Sequence, residues 1–142
     1  MFFIHHTVSR ACTTKARCIG IVRGIQNDHI DHRGFDDIGY SFLVGGDGNV
    51  YEGRGWSNVG AHTENFNSRS FAAAMIGNFE ATLPNAKAVT AVKNLIAFGV
   101  HLGKIARSYR LHGHRDVKVT ACPGTNFYNL VKTWPNYRRY EP

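Results

Sequence analysis

The sequence predicts a single α/β domain in which a mixed central β-sheet is flanked by about three helices. Three observations support this prediction. Short apolar, β-prone segments recur along the whole chain, three predicted helices are interspersed with them, and an Asp-Gly turn joins two of the apolar segments. At 142 residues the chain is long enough for one well-formed core but too short for two full domains. We therefore expect one domain over residues 1–142.

The first half of the chain opens with an apolar strand over residues 1–6 that ends in His5 and His6. Neighbouring side chains of a strand point to opposite faces, so only one of these two imidazoles can face a given site. Apolar residues then recur every three to four positions over 15–30, which predicts an amphipathic helix preceded by two threonines that could cap it. Next come a polar loop, a strand over 38–44, a turn at 45–49 and a returning strand over 50–52.

The second half contains a long irregular segment and the remaining regular elements. Residues 52–69 are rich in glycine and polar residues and carry Arg54, Trp56 and His62, and loops of this length are often functional. The small apolar residues of 71–77 predict a strand that is buried on both faces. The last predicted elements are helices over 87–105 and 126–133 and a short strand before His112.

The formal net charge of +7 favours an anionic partner, such as a nucleic acid, an anionic membrane or an acidic cell-wall polymer. The basic residues are scattered, and neither a helix-turn-helix pattern nor an RNA-binding aromatic motif is present, so only the charge supports a nucleic-acid binder. No apolar segment approaches the length of a membrane span, and the N terminus lacks the pattern of a signal peptide. Because the chain starts on a predicted core strand, we expect that upstream sequence is missing.

The segment 111–124 concentrates the most reactive side chains. His114 and Cys122 are eight positions apart in a segment too rich in glycine, proline and β-branched residues to place them on one helix face. A shared task therefore requires the loop to fold back on itself. Imidazole and thiolate together suit zinc, and a third protein ligand with an open fourth position is typical of a catalytic zinc site. The spacing of His114 and Cys122 therefore supports a zinc site only if the rest of the chain supplies the third ligand.

The three cysteines allow two interpretations. Cys12 and Cys18 are six positions apart, close enough to cross-link a loop onto the first turn of the predicted helix, and Cys122 then remains as a metal thiolate. The alternative is three free buried thiols in a protein of a reducing compartment.

Six ordered motifs extend over nearly the whole chain. They are Phe3-Ile4-His5-His6-Thr7, Asp37-Ile38-Gly39-Tyr40-Ser41-Phe42, Gly45-Gly46-Asp47-Gly48, Tyr51-Glu52-Gly53-Arg54-Gly55-Trp56, Gly60-Ala61-His62-Thr63, and Gly113-His114-Arg115-Asp116 with Ala121-Cys122-Pro123-Gly124. Together they resemble the motifs of the peptidoglycan recognition proteins, which are relatives of the phage lysozyme type of N-acetylmuramoyl-L-alanine amidase. The resemblance implies the same α/β fold without its usual N-terminal segment, bacterial peptidoglycan as the partner, and an extracellular role in innate immunity.

The resemblance also implies a zinc-dependent reaction. In amidase members zinc is held by residues that match His5, His114 and Cys122, and the enzyme hydrolyses the amide between the lactyl group of N-acetylmuramic acid and L-alanine of the stem peptide. Tyr40 matches the active-site tyrosine, whose phenol would donate a hydrogen bond to the developing oxyanion. Thr120, the second catalytic candidate, stands where the phage enzyme carries a lysine. Members that only recognise peptidoglycan typically lack the cysteine, which favours the amidase over the alternative, a non-catalytic peptidoglycan-binding receptor.

Further expectations follow from the same resemblance. It implies a disulfide between Cys12 and Cys18. It also implies substrate contacts at His6, Thr7, His29, Gly34, Phe35 and Arg54. Members that prefer stem peptides with meso-diaminopimelic acid tend to show Gly-Trp before the Asp-Ile-Gly-Tyr strand and an arginine in the Glu-Gly-Arg-Gly segment. Here Gly34 and Arg54 agree, whereas Phe35 replaces the tryptophan, so we expect a preference for the diaminopimelic type over the lysine type.

Overall fold

A five-stranded mixed sheet forms the centre of the domain in this computed structural model, which describes residues 1–142. The strands are β1 (Phe2–His6), β2 (Phe42–Val44), β3 (Val50–Glu52), β4 (Phe71–Met75) and β5 (Leu111–Gly113). They lie side by side in the order β3-β2-β4-β1-β5, with β3 antiparallel to β2 and all other neighbours parallel. The predicted mixed sheet is confirmed.

Three α-helices flank the sheet, which also agrees with the prediction. They are α1 (Lys15–Asp31), α2 (Ala86–His101) and α3 (Thr125–Val131). The side chain of Thr14 accepts a hydrogen bond from the backbone N–H of Arg17 and so caps α1, while Asn85 caps α2 through the N–H of Ala88. None of these helices combines the length with the hydropathy that crossing a membrane would require.

Hydrophobic layers cover both faces of the sheet because side chains alternate along each strand. On one face Phe2 and Ile4 pack into a core with residues of α2 and α3. On the other face Leu43 of β2 packs with residues of α1. The same alternation separates His5 from His6. The ring of His5 lies beside Tyr40, on the face that α1 covers. His6 lies on the face that α2 and α3 cover, where Nδ1 of its ring accepts the backbone N–H of Phe79.

The strand predicted over 38–44 is too long, since only β2 is regular strand. The backbone before β2 bonds with a side chain of α1 and with a loop instead of with a neighbouring strand. The N–H of Gly39 donates to Nδ1 of His29, and the carbonyl of Tyr40 accepts from the N–H of Arg54. These bonds hold residues 38–41 in a conformation that brings Tyr40 towards the C-terminal end of β1.

The other boundaries differ by a few residues. Helix α2 ends at His101, not at 105, because Gly103 adopts a φ of +74° and the N–H of Lys104 donates to the carbonyl of Gly99. Strand β5 runs through His112 instead of ending before it, β4 ends at Met75, and α3 begins and ends slightly earlier than predicted.

Candidate active site

His5 and His114 meet because they follow paired positions of two neighbouring parallel strands. Ile4 of β1 is in register with Gly113 of β5, so the next residue of each strand emerges at the same edge of the sheet. The two imidazole centroids are 4.3 Å apart. The carboxyl ends of parallel strands are the usual location of binding sites in open α/β sheets.

Cys122 reaches the two histidines because the segment after β5 folds back on itself. The backbone N–H of Arg115 donates to the carbonyl of Cys122 over 3.0 Å. The Arg115 guanidinium donates to the carbonyl of Ala121 and to the hydroxyl of Thr125, and it forms an ion pair with Glu80. The sulfur of Cys122 consequently lies 3.6 Å from Nδ1 of His5.

His5, His114 and Cys122 form a group that we call the metal cluster. One potential ligand atom from each residue lies within 4.8 Å of the other two, and two imidazoles with one thiol are a donor set that suits zinc. Nε2 of His114 is buried without a hydrogen-bond partner, so an unsatisfied nitrogen is present in the cluster. The residues therefore fit a zinc ion with three protein ligands, and this arrangement leaves a fourth position for water or substrate.

Burial determines the protonation of the metal cluster. It lowers the pKa of His5 well below the ordinary value and lowers the pKa of His114 to about 4, so both rings are neutral at pH 7. It also raises the pKa of the Cys122 thiol to about 12. The cysteine is thus a neutral thiol until a metal ion displaces its proton, because a coordinated thiol is deprotonated.

Tyr40 lies next to the metal cluster. Its ring centroid is 5.3 Å from that of His5 and 5.8 Å from that of His29. Burial, with a smaller contribution from Cys122, raises the pKa of the phenol to about 12. Tyr40 therefore keeps its proton and remains a hydrogen-bond donor throughout the neutral pH range.

A cleft of about 330 Å³ opens beside Tyr40. It is lined by Thr7, Ser9, Ile21, Gly24, Ile25, Asp28, His29, Arg33 and Tyr40. The cleft therefore brings together Tyr40, an expected catalytic residue, and Thr7 and His29, two of the expected substrate contacts. The Thr7 hydroxyl also accepts the N–H of Gly77, and Nδ1 of His29 accepts the N–H of Gly39, which leaves the proton of neutral His29 on Nε2.

Gly34, Phe35 and Arg54 form a second group, which we call the distal rim. The Phe35 ring packs edge-on against His29 with centroids 5.6 Å apart, and the Arg54 guanidinium lies 5.8 Å from the Phe35 centroid. Gly34 adopts a φ of +70° just after α1 ends, and no heavy atom lies within 4 Å of the place where a Cβ would be. The glycine is therefore required by the backbone conformation and not by close packing.

The guanidinium of Arg54 is already engaged by the protein backbone. It donates to the carbonyls of Ile38 over 2.9 Å, Val59 over 2.9 Å and Asp37 over 3.4 Å. Since a guanidinium has five N–H groups, about two remain for a ligand. Arg54 also lines a cavity of about 350 Å³ with Asp36, Asp37, Asn58 and Val59.

His6 and Thr120 lie against Cys122 and not in the cleft. The backbone N–H of His6 donates to the Cys122 sulfur over 3.4 Å, and Nδ1 of its buried ring accepts the N–H of Phe79. The Thr120 hydroxyl accepts the N–H of Cys122 over 3.2 Å. Both residues thus hold the cysteine in place.

Sequence reasoning assigned no role to Thr63 or His62, yet both belong to the site. The Thr63 hydroxyl lies 3.1 Å from Nε2 of His5 and 2.7 Å from Nδ1 of His62. Burial, followed by electrostatic interactions with His114 and Arg54, lowers the pKa of His62 to about 4. The only sequence signal was the Gly-Ala-His-Thr motif within the long loop, which does not indicate the direction of either side chain.

The expected disulfide between Cys12 and Cys18 is confirmed, and Cys122 is the free thiol. The bond joins the loop after β1 to the first turn of α1, and both cysteines are buried beside Leu43 and Ala74.

The chain matches the family model of N-acetylmuramoyl-L-alanine amidase over residues 1–125. This chain belongs to the peptidoglycan recognition protein and amidase family. It is 48% identical over 135 residues to peptidoglycan-recognition protein SC2 of Drosophila simulans, covering 95% of this chain and 73% of that protein. It is also 48% identical over 138 residues to an N-acetylmuramoyl-L-alanine amidase of Sus scrofa, covering 95% of this chain but 23% of the pig protein.

A solved structure of this family places a ligand on the same fold. Peptidoglycan recognition protein LE, in complex with tracheal cytotoxin, a monomeric diaminopimelic acid-type peptidoglycan, superposes with a TM-score of 0.96. The two sequences are 42% identical, and the match covers 97% of this chain and 82% of that one. The family and the fold expected from the six motifs are therefore confirmed.

Proposed function

We propose that this chain is a zinc-dependent N-acetylmuramoyl-L-alanine amidase that binds bacterial peptidoglycan and hydrolyses the amide between the lactyl group and L-alanine. The metal cluster carries this proposal, because His5, His114 and Cys122 offer three zinc-type ligand atoms within 4.8 Å of one another. The amidase name of the pig relative supports the same activity.

Each side chain has a role that follows from its surroundings. A zinc ion held by the metal cluster would polarise the scissile carbonyl and lower the pKa of a water molecule. His5 and His114, which are neutral imidazoles at pH 7, and Cys122, as a thiolate, would hold the ion. Tyr40 donates its phenolic proton in a hydrogen bond to the oxyanion that develops on the carbonyl oxygen. Thr120 holds the backbone of Cys122 and is the remaining catalytic candidate.

The cleft beside Tyr40 is the proposed site of the stem peptide, with contacts from Thr7 and His29 and from the distal rim. The remaining N–H groups of Arg54 would grip the extra carboxylate of meso-diaminopimelic acid, which L-lysine lacks. The diaminopimelic-type ligand of the related recognition protein LE supports this preference.

We further propose that the protein acts outside the cell in innate immunity. The disulfide between Cys12 and Cys18 supports an oxidising compartment, where such bonds persist.

The amidase proposal is tested with metal-free protein and zinc. The chain is freed of metal by chelation, then assayed on a purified diaminopimelic-type muropeptide with and without added zinc, and mass spectrometry follows the free stem peptide. We expect release of the peptide only with zinc. Calorimetric titration with the same muropeptide gives the binding affinity. Binding without peptide release in the zinc-loaded protein would identify a non-catalytic receptor and refute the amidase.

A further inference from the structure

The hydroxyl of Thr63 lies between two imidazole rings. It is 3.1 Å from Nε2 of His5 and 2.7 Å from Nδ1 of His62. Thr63 is 1% exposed, His5 2% and His62 8%, so water does not compete for these contacts. A hydroxyl has a single proton, so it can donate a hydrogen bond to only one of these two nitrogens and must accept from the other.

The position of Cys122 determines how the protons are distributed. Nδ1 of His5 faces the Cys122 sulfur at 3.6 Å, so this nitrogen is the one available to a metal in the cluster. An imidazole that ligates through Nδ1 carries its proton on Nε2, and this N–H can donate only to the Thr63 hydroxyl. The hydroxyl accepts that bond and donates its own proton to Nδ1 of His62. The proton of His62 then sits on Nε2, a buried atom without any hydrogen-bond partner.

The loop around Thr63 is fixed independently of these side-chain bonds. The side-chain oxygen of Asn67 accepts the backbone N–H groups of both His62 and Thr63, each over 2.8 Å. The carbonyl of Thr63 accepts the N–H of Phe66, whose ring packs against Phe3 in the core. The backbone therefore presents the hydroxyl to His5 whether or not the hydroxyl is retained.

We propose that Thr63, backed by His62, is a positioning residue that fixes the tautomer and the ring orientation of His5, so that Nδ1 is unprotonated, faces the Cys122 sulfur and would be free to ligate zinc. This inference rests on the proposed zinc-dependent function. Partners of this kind are a general feature of histidine metal ligands, and their loss typically costs about 10- to 100-fold in metal affinity.

The experiment compares two substitutions of Thr63 by their zinc affinity. Thr63→Val keeps the shape but removes the hydroxyl, and Thr63→Ser keeps the hydroxyl but removes a methyl group. Zinc dissociation constants are measured at one pH by competition with a chromophoric chelator. We expect Thr63→Val to bind zinc about 10- to 100-fold more weakly and Thr63→Ser to stay within about threefold of the wild type. Thr90→Val, the same change on an exposed position of α2, should leave the affinity unchanged.

Two further measurements distinguish a positioning role from a purely structural one: the spectrum of bound Co²⁺ and the zinc affinity of His62 variants. The visible spectrum of bound Co²⁺ should shift in Thr63→Val and match the wild type in Thr63→Ser. His62→Leu removes the acceptor of the Thr63 proton, whereas His62→Asn retains one. We expect His62→Leu to lose less zinc affinity than Thr63→Val does. His62→Asn should bind zinc nearly as tightly as the wild type.

The outcomes separate this inference from the proposed function. If the wild type binds no zinc, the amidase proposal fails. If the wild type binds zinc and Thr63→Val binds it equally well, the positioning role is wrong while the amidase stands. Equal losses in the valine and serine variants would assign the effect to packing and would also overturn the role of the hydroxyl.

Discussion

The metal cluster and the distal rim differ in what their polar atoms already bind. In the cluster the two histidines emerge from paired strands, and Nε2 of His114 has no partner within the protein. In the distal rim Arg54 gives three of its N–H groups to backbone carbonyls of the surrounding loops. The two histidines are therefore positioned by regular strands and leave an atom free for a ligand, whereas the residue proposed to select the substrate also holds loops together. Variants of the cluster should change function alone, and variants of the rim should change function and stability together.

The largest effect is expected from Cys122→Ser. A soft thiolate is replaced by a hydroxyl that ionises poorly, so zinc content should fall to near zero and peptide release should fall by more than the ~100-fold that loss of a supporting partner costs. The fold should persist because a serine oxygen can accept the backbone N–H of His6, as the sulfur does. Zinc content by elemental analysis, turnover and urea unfolding are measured on the same preparation. Wild-type turnover in the serine variant would exclude the zinc mechanism.

Tyr40→Phe should have the next largest effect. Loss of a hydrogen bond to the oxyanion costs about 3 kcal/mol in other enzymes, so we expect kcat to fall roughly 100-fold while zinc content is unchanged. Tyr51→Phe is the control, because Tyr51 donates to Asp47 next to strand β3 and does not line the cleft. A Tyr40→Phe variant with wild-type kcat would remove Tyr40 from the mechanism.

The pH profile tests the same residue. The pKa of Tyr40 is raised to about 12, so the phenol is protonated and can donate at every pH well below that value. Any loss of activity between pH 8 and pH 10 should therefore be equally present in Tyr40→Phe. A basic limb in this range that disappears in the phenylalanine variant would contradict the protonated-donor role.

The two regions also differ in how far the sequence could predict them. Strand alternation and paired parallel ends follow simple periods, so the separation of His5 from His6 and the mixed sheet were predictable. Residues 38–41 were not, because their backbone groups bond with a helix side chain and a distant loop instead of continuing the strand. The same holds for Thr63 and the carbonyl contacts of Arg54, which depend on the path of the long loop and leave no periodic pattern in the sequence.

Arg54→Lys should reduce the substrate preference and should lower the stability less than removing the cation altogether, because lysine keeps a donor near the carbonyls of Ile38 and Val59. Lysine keeps the charge but cannot form two parallel hydrogen bonds with a carboxylate. A charge-assisted contact is worth about 1.5 to 3 kcal/mol, so the preference for diaminopimelic-type over lysine-type muropeptides should fall roughly 10- to 100-fold towards equality. The kcat/KM values for both substrates are measured for the wild type and the variant.

Arg54→Val is the informative comparison for this prediction. It should also erase the preference, but it leaves the carbonyls of Ile38 and Val59 without their donor and should lower the free energy of unfolding by about 1 to 3 kcal/mol. Equal kcat/KM values for the two substrates in the wild type would refute the diaminopimelic preference and point to Phe35, the one departure from the family motif. A valine variant as stable as the wild type would contradict the double role of Arg54.

The smallest effect on catalysis is expected from the disulfide. Replacing both Cys12 and Cys18 by alanine removes a short loop closure, which should lower the free energy of unfolding by about 2 to 3 kcal/mol in urea. The bond anchors the start of α1, and α1 carries His29, which contacts Phe35 of the distal rim. The metal cluster lies at the ends of β1 and β5, and its hydrogen bonds run to Thr63, His6 and Thr120, none of which belongs to α1. We therefore expect unchanged zinc affinity and kcat, with a rise in KM of a few fold at most. A fall in zinc affinity in this variant would mean that the cluster and the rim are coupled through α1, because burial by that helix would then be needed to orient the ligands.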